Sequence, residues 1–150
     1  MTEMPTTPRH ALPLLAVAQA QKEITHNEAL VLIDALVHAA IEAGPVNDPP
    51  PTATAGQCWL VGSAPTGVWA GQARSIAIST AGGGRFAAPR HGIAVRRIAD
   101  GAAWRFDGAE WVGPPVIAAA SGGATVGGEA RAVLAELIQL LAAQGLLKSS

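Results

Sequence analysis

Prolines crowd into one short segment of this chain and limit what it can fold into. Pro45 is followed closely by three consecutive prolines at positions 49–51, within a stretch 45–56 that also contains threonine and glycine. Proline lacks a backbone N–H and fixes φ, so neither a helix interior nor a central strand can run through this stretch. The run favours a stiff polyproline II connector, and the sequence pattern differs on its two sides.

Before the connector, apolar residues recur at helical spacing. Thr25 and Glu28 have the spacing of a capping box, and Gly44 followed by Pro45 is typical of a helix end. We therefore predict an amphipathic helix over about 26–43, within a unit 25–44. One apolar seam of this helix consists of Leu30, Ile33, Val37 and Ala40. The seam either packs on the chain's own sheet or meets other copies around a three-fold axis, and we favour the second interpretation.

After the connector, short apolar runs alternate with turns. The strongest signal is Asp107-Gly108, a hairpin turn flanked by Phe106 and Trp111. The pattern predicts a small antiparallel β meander within a β-rich domain spanning 45–112. The predicted strands are 57–62, 67–70, 75–79, 85–88, 93–98, 103–107 and 110–112.

The C-terminal part has a linker and a second helical pattern. Residues 113–128 are rich in glycine, alanine and proline, which indicates an extended linker. A helix is predicted over 129–147, in a terminal unit 129–150, with Leu134, Leu137 and Leu141 at a/d-like spacing. This helix either docks on the chain's own body or forms a bundle between chains, and the pattern leaves both open.

Composition adds an argument for self-association. Charged residues make up 14% of the chain, against about 25% in typical proteins. Much of the hydrophobic content is alanine, which buries little area, so a monomer would have a thin core and an under-charged surface. Burial of surface between subunits offsets both problems, so the composition favours an obligate oligomer. With the three-fold interpretation of the first helix, this oligomer is a homotrimer.

Charge and hydropathy exclude two classes of partner. A net charge of −1 offers no basic surface for nucleic acid. No run approaches the ~18 apolar residues that span a membrane, so membrane insertion is not expected. The apolar run 11–18 is short and broken by Pro13, so we do not assign a signal peptide.

Residues that could carry out chemistry are sparse. The four histidines have no metal-ligand spacing, and Cys58 lies in an apolar run that predicts burial. Asp34 and His38 have the spacing of an exposed ion pair on a helix. Asp107 and Glu110 are better explained by their hairpin turn than by glycoside hydrolysis. We predict no catalytic residue, no metal ligand and no cofactor, and therefore not an enzyme.

Four tryptophans occur without any tyrosine. Most are expected to pack in the core of the small sheet. Trp69, between Gly67 and Gly71, is the candidate for an exposed residue that contacts a glycan. An alternative function is therefore a carbohydrate-binding module, or a small polysaccharide-processing domain acting through Asp107 and Glu110.

Several motifs together resemble a phage-associated family of unknown function, DUF2793. They are Leu12-Pro13, residues 18–29, residues 32–37, Gly56 to Val61, Thr66 to Gly71 and Phe106 to Trp111. The resemblance implies a structural protein of phages or gene transfer agents: a tail fibre, spike or baseplate adaptor. Such fibres are commonly trimeric and attach to the particle through the N-terminal part.

The resemblance also implies partners and a location. An extended attachment segment, residues 1–24, and the start of the helix would dock on tail or baseplate proteins. Host surface polysaccharide is a further candidate partner of the β-rich domain. The protein would be made in the bacterial cytoplasm and reside on the particle. The docking residues would be Gln19, Gln21, Lys22, Thr25, His26, Asn27 and Glu28.

Overall fold

A computed structural model describes residues 4–16, 22–117 and 127–147. Within these residues the helices are α1 (Lys22–Leu36) and α2 (Gly128–Ala143), and a 3₁₀ turn covers Gly67–Trp69. The described strands form a first sheet, ordered β1-β6-β7-β8, and a second sheet, ordered β2-β3-β4-β5. The predicted α+β class is therefore confirmed. The strands are β1 (Ala40–Ile41), β2 (Ala43–Val46), β3 (Cys58–Val61), β4 (Ile76–Thr80), β5 (Gly83–Ala87), β6 (Ala94–Arg97), β7 (Ala103–Phe106) and β8 (Trp111–Val112).

The segment 40–46 joins the two sheets. It contributes β1 to the first sheet, parallel to β6, and β2 to the second, parallel to β3. The remaining pairs, β3–β4, β4–β5, β6–β7 and β7–β8, are antiparallel. The prediction of a single antiparallel meander is therefore wrong in its topology. The predicted order of the later strands holds, except that 67–70 is a 3₁₀ turn rather than a strand.

The predicted bounds of the first helix are also wrong. The helix spans Lys22–Leu36 rather than 26–43. Thr25 therefore lies inside α1 and cannot cap its start, while Glu28 forms an ion pair with Arg85 at 2.8 Å. His38 follows the helix with a φ of +52°, and Ala40 already pairs with Arg96 in the first sheet.

Gly44 has a different role from the predicted helix end. It lies in β2 with a φ of +142°, before a cis bond to Pro45. A Cβ atom at this position would lie 2.5 Å from the Leu60 Cβ. Glycine is therefore required here because β2 passes so closely over β3.

The main core lies between the two sheets and α1. Ile41 and Leu60 have no exposed surface, and Cys58 is buried as predicted. Ala35 brings α1 into the same cluster. The core is built mainly from β-branched and aromatic strand residues, which suit a half-buried pleated surface. Its buried members are Ala35, Ile41, Cys58, Leu60, Ile76, Ile78, Val95, Phe106 and Trp111.

A second, smaller cluster covers the other side of the second sheet. The 3₁₀ turn places Trp69 against Trp59, with ring centroids 6.4 Å apart. Trp69 is only 5% exposed, so its predicted exposure is wrong. Trp111 is buried in the main core and donates from Nε1 to the Arg74 carbonyl oxygen at 2.7 Å. Core packing is thereby confirmed for Trp59 and Trp111, while Trp104 is half-buried.

The second helix is shorter than the predicted 129–147. It ends at Ala143, before Gly145 with a φ of +70°. A Cβ on Gly145 would lie 2.1 Å from the Gly101 carbonyl oxygen, and the Gly145 carbonyl accepts from the Ala103 N–H at 2.9 Å. Arg96 Nη1 donates to the Gln144 carbonyl oxygen. This end of α2 is thus fixed to the first sheet. Of the predicted linker, residues 118–126 lie outside the described part.

Candidate functional site

Residues 4–16, here called the arm, form a short hairpin against α1. Thr6 and Pro13 form an antiparallel bridge. The Thr7 N–H donates to the Leu12 carbonyl oxygen at 2.9 Å, and the Leu14 N–H donates to that of Pro5 at 2.8 Å. The predicted attachment segment 1–24 is therefore not uniformly extended, because its described part folds back on itself and on the helix that follows.

The arm is anchored by the buried carboxylate of Asp34. Asp34 Oδ1 accepts from Thr7 Oγ1 and from the His10 N–H, both at 2.7 Å, and Oδ2 accepts from the Arg9 N–H at 2.9 Å. Burial by itself raises the pKa of Asp34, but these hydrogen bonds outweigh it and hold the pKa below its ordinary value. An ionised carboxylate thus joins helix and arm. The predicted exposed Asp34–His38 pair is wrong, since Asp34 is 1% exposed and has these other partners.

The arm also satisfies carbonyl groups at the end of α1. Arg9 Nη1 donates to the Ala35 carbonyl oxygen at 3.0 Å, and His10 Nε2 donates to that of Val37 at 3.1 Å. The last carbonyls of a helix have no partner within the helix, so these side chains act as a cap supplied from the arm. The rings of His10 and His38 lie 6.0 Å apart beside it. The hydrogen bonds from Arg9 and His10 therefore help to end α1 at Leu36.

Asn27 holds the other end of the arm. Its Oδ1 accepts from the Leu15 N–H at 2.9 Å, and its Nδ2 donates to the Leu15 carbonyl oxygen at 3.0 Å. The amide thus pairs with both backbone groups of one residue, as a neighbouring strand would. Asn27 and Asp34 are seven residues apart, so both lie on the face of α1 that the arm covers.

The predicted docking residues that the structure describes have different surroundings. Asn27 contacts the chain's own arm and Glu28 contacts Arg85. Thr25 and His26 are exposed. Lys22 is the first residue of α1, and Gln19 and Gln21 lie outside the described residues.

The residues predicted as an oligomer interface are largely exposed. Ile33, Val37, Leu134 and Leu137 each keep between 43% and 50% of their surface in contact with solvent. Leu30 and Leu141 are half-buried. Ala40 belongs to β1 rather than to a helix, so it cannot continue the α1 seam.

The face of α2 is the most exposed apolar surface among the described helices. No residue of Gly128–Ala143 is buried, although Val133, Leu134, Leu137 and Leu140 are large and apolar. The helix is about 24 Å long at 1.5 Å per residue. A lone helix of this size gains little stability without packing of its apolar face. The described residues of the chain do not cover this face.

Two grooves border the β4–β5 hairpin. The larger, about 420 Å³, has Trp59, Trp69 and Phe86 in its lining, together with Arg85 and Thr80 on the hairpin. The two tryptophan rings are at least 93% buried, so they present little ring face for stacking on a sugar. The smaller, about 240 Å³, lies between α1 and the hairpin and is here called the α1 groove. It is lined by Ile24, Asn27, Glu28, Val31, Ala81 and Arg85, among others.

Three side chains considered for acid–base or thiol chemistry, those of Asp107, Glu110 and Cys58, have structural partners. Asp107 Oδ1 accepts from the Ala109 and Glu110 N–H groups, both at 2.8 Å, which lowers the pKa of Asp107. Glu110 is hydrogen-bonded to Arg74 Nε at 2.7 Å. Burial raises the pKa of the Cys58 thiol, although Arg9 Nη1 lies 3.7 Å from its sulfur. These groups are thus tied into turns, a surface ion pair and the core.

The described part of the chain has neither a cluster of metal-binding side chains nor a helix long and apolar enough to span a membrane. Residues 4–16, 22–117 and 127–147 contain no group of three or more histidine, cysteine or acidic residues arranged to hold a metal ion. Within the same ranges, the helices fall short of the length and hydropathy required to cross a membrane.

The comparisons with known proteins identify one family. The sequence profile of a family described as "Protein of unknown function (DUF2793)" matches residues 26–112. The match begins within α1 and ends at the last residue of β8, so it covers both sheets but neither the arm nor α2. No curated protein matches the chain.

Proposed function

Because the chain belongs to the DUF2793 family, described only as being of unknown function, we propose its role from its surfaces. It is a self-assembling structural component of a phage or gene-transfer-agent particle and acts by binding. In this role it is a homotrimeric tail fibre, spike or baseplate adaptor, in which the β-rich domain faces outward.

One observation carries the proposal, namely the uncovered apolar face of α2. Three leucines and a valine on this helix are each at least 49% exposed, in a chain with only 14% charged residues. Exposed apolar patches of this kind mark interaction surfaces. Since helix α2 has no buried residue, its stability depends on a neighbouring chain more than on its own body.

The arm and the start of α1 provide the attachment end. The arm is fixed to α1, so it presents a defined shape rather than a loose tail. Leu15 is 45% exposed in the arm, and Thr25 and His26 are exposed on α1. Together with Gln19, Gln21 and Lys22 of the same stretch, they would contact a tail or baseplate protein.

Light scattering on the purified chain tests self-association. We expect a mass near three times 15.2 kDa, and dissociation in the Leu137→Glu variant. Ile98→Glu is the matched control, because Ile98 is also an exposed apolar residue, 59% exposed against 49% for Leu137, in the turn that follows β6. A wild-type chain that stays monomeric at high concentration contradicts the proposal.

Mass spectrometry of purified particles tests the location. The wild-type chain should co-purify with particles from the producing bacterium in a fixed ratio to the other tail proteins. A variant lacking residues 1–16 should fold less stably and be depleted from particles. Particles that never contain the wild-type chain contradict the virion assignment without affecting the self-association result.

A carbohydrate-binding module is the second candidate function, and the larger groove is the observation that favours it. Its accessible polar groups are Arg85, Ser79 and Thr80 rather than the buried tryptophans. A glycan array would show binding that Arg85→Ala abolishes and that the control Arg105→Ala retains.

A polysaccharide-processing domain has less support, because Asp107 and Glu110 are held in hairpin and ion-pair contacts.

A further inference from the structure

The chain has an uncovered apolar helix face and, elsewhere, a groove of similar character. The helix face belongs to α2, which is attached to the first sheet through Gly145 and Ala103. The α1 groove lies at the second sheet, between α1 and the turn of the β4–β5 hairpin. Since no residue of Gly128–Ala143 is buried, α2 does not occupy the groove of its own chain.

The shape of the α1 groove suits a packed helix. Ile24, Asn27 and Val31 lie at i, i+3 and i+7 and so form a ridge along α1. The opposite wall is the hairpin turn at Ala81 and Gly82. Alanine has only a methyl side chain and glycine has none, so space remains between the turn and the helix. Ile24 is 55% exposed, so the groove has an apolar wall open to solvent.

One charged group of the α1 groove, the guanidinium of Arg85, can pair with an edge of α2. Arg85 lies in the wall of the α1 groove, where its side chain is 41% exposed beside Glu28. On α2, Glu129 and Glu136 are seven residues apart, so both follow one edge of the apolar face. A helix lying in the groove with this edge toward Arg85 would add a carboxylate partner to that guanidinium.

We propose that the apolar face of α2 in one subunit docks in the α1 groove of a second copy of the chain. This inference rests on the proposed self-association and names its contact. The contact is heterologous, because each subunit gives a helix to one neighbour and receives a helix from another. Such contacts generate a ring when the rotation closes, and a ring of three gives the proposed trimer. An α2–α2 bundle is the competing arrangement.

Variants on the two surfaces separate these arrangements. Ile24→Glu and Ala81→Glu alter the groove at exposed positions, Leu137→Glu alters the helix face, and Ile98→Glu is the control. Circular dichroism and thermal unfolding first confirm that each variant is folded. We expect all three surface variants to lose the wild-type mass by light scattering, and the control to keep it.

A mixing experiment provides the decisive measurement. Ile24→Glu retains an intact α2 face, and Leu137→Glu retains an intact groove. An equimolar mixture should therefore form a complex of two chains, although each variant alone is monomeric.

Each other outcome has a definite meaning. If both groove variants keep the wild-type mass while Leu137→Glu dissociates, α2 pairs with α2, and this inference fails while the proposed self-association stands. Dissociation of the Ile98→Glu control would also overturn the inference, because the effect would not be specific to the groove. A monomeric wild-type chain would overturn both.

Discussion

The two helices of this chain are stabilised in opposite ways. Helix α1 is held by contacts from distant residues: the arm binds Asp34 and Asn27, and Ala35 packs in the core. Helix α2 is fixed to the first sheet near its end, at Gly145, and its apolar face is not covered by the described residues. The comparison teaches that α1 belongs to the folded unit, whereas α2 is a surface element whose apolar face the described residues leave exposed.

The same difference decides which helix can be read from sequence. The start of α2 was predicted to within one residue from its local periodicity, whereas its end was predicted four residues too late, because the apolar spacing continues past Gly145 to Leu147. The start of α1 was predicted four residues too late, because the spacing of Thr25 and Glu28 suggests a cap there. Its end was predicted seven residues too late, because the cap at that end comes from Arg9 and His10, more than 20 residues away. No local pattern reports a helix end that is set by such a distant contact.

The largest expected effect is the loss of the anchor on α1. In Asp34→Ala the hydroxyl of Thr7 and the backbone N–H groups of Arg9 and His10 lose a charged acceptor in a buried site. We expect the free energy of unfolding to fall by about 3 kcal/mol, measured by urea denaturation of the dissociated chain. Asp48→Ala, at an exposed carboxylate, should cost less than about 1 kcal/mol.

The matching change on α2 sharpens the comparison. Leu137→Ala should alter the unfolding free energy of the dissociated chain by no more than about 0.5 kcal/mol, because Leu137 is exposed. It should instead weaken the assembly. If Leu137→Ala destabilises the isolated chain as strongly as Asp34→Ala, α2 packs on its own body and the comparison fails.

Acid should weaken the hold of Asp34 on the arm. The folded pKa of Asp34 is lowered from its ordinary value near 3.8, so the stability it contributes is present above that value. It is lost as the pH falls through the lowered pKa. Unfolding of the wild type and of Asp34→Asn, measured between pH 6 and pH 2, should differ most at pH 6 and converge at the acid end. A constant difference would show that the charge of Asp34 does not hold the arm.

The strands show the same division between local and distant signals. The β6–β7 and β7–β8 hairpins were predicted because Asp107-Gly108 and the alternating apolar residues are adjacent in sequence. The strands at 40–46 were missed, since their pairing with Arg96 and Trp59 joins distant parts of the chain. The spacing of the apolar residues in this segment continues the helical spacing of α1, so the sequence alone places the segment in the helix. The candidate surfaces show the same division. The apolar spacing on α2 is a local signal and was predicted. The folded arm and the α1 groove bring together residues distant in sequence and were not predicted.

A smaller effect is expected at the other end of the arm. Asn27→Ala removes two hydrogen bonds to Leu15 at a half-buried position. We expect the free energy of unfolding to fall by about 1 kcal/mol, together with faster proteolysis near residue 15.

Asn47→Ala would not serve as a control, because Asn47 Oδ1 accepts from the Ala64 N–H. Gln139→Ala, on exposed α2, is suitable. Equal protease sensitivity of Asn27→Ala and wild type would contradict the clamp.

The smallest expected effect distinguishes local from distant stabilisation of α1 directly. If Thr25 capped the helix, as the capping-box pattern suggests, Thr25→Ala would cost about 1 kcal/mol. In the structure α1 begins at Lys22 and Thr25 is an exposed interior residue, so the change should cost no more than about 0.5 kcal/mol. Glu28→Gln removes only an exposed ion pair with Arg85 and should cost a similar amount, diminishing with added salt. A large loss of unfolding free energy in Thr25→Ala that is insensitive to salt would mean that a local cap sets the start of α1. The contrast between the two helices would then apply only to the end of α1.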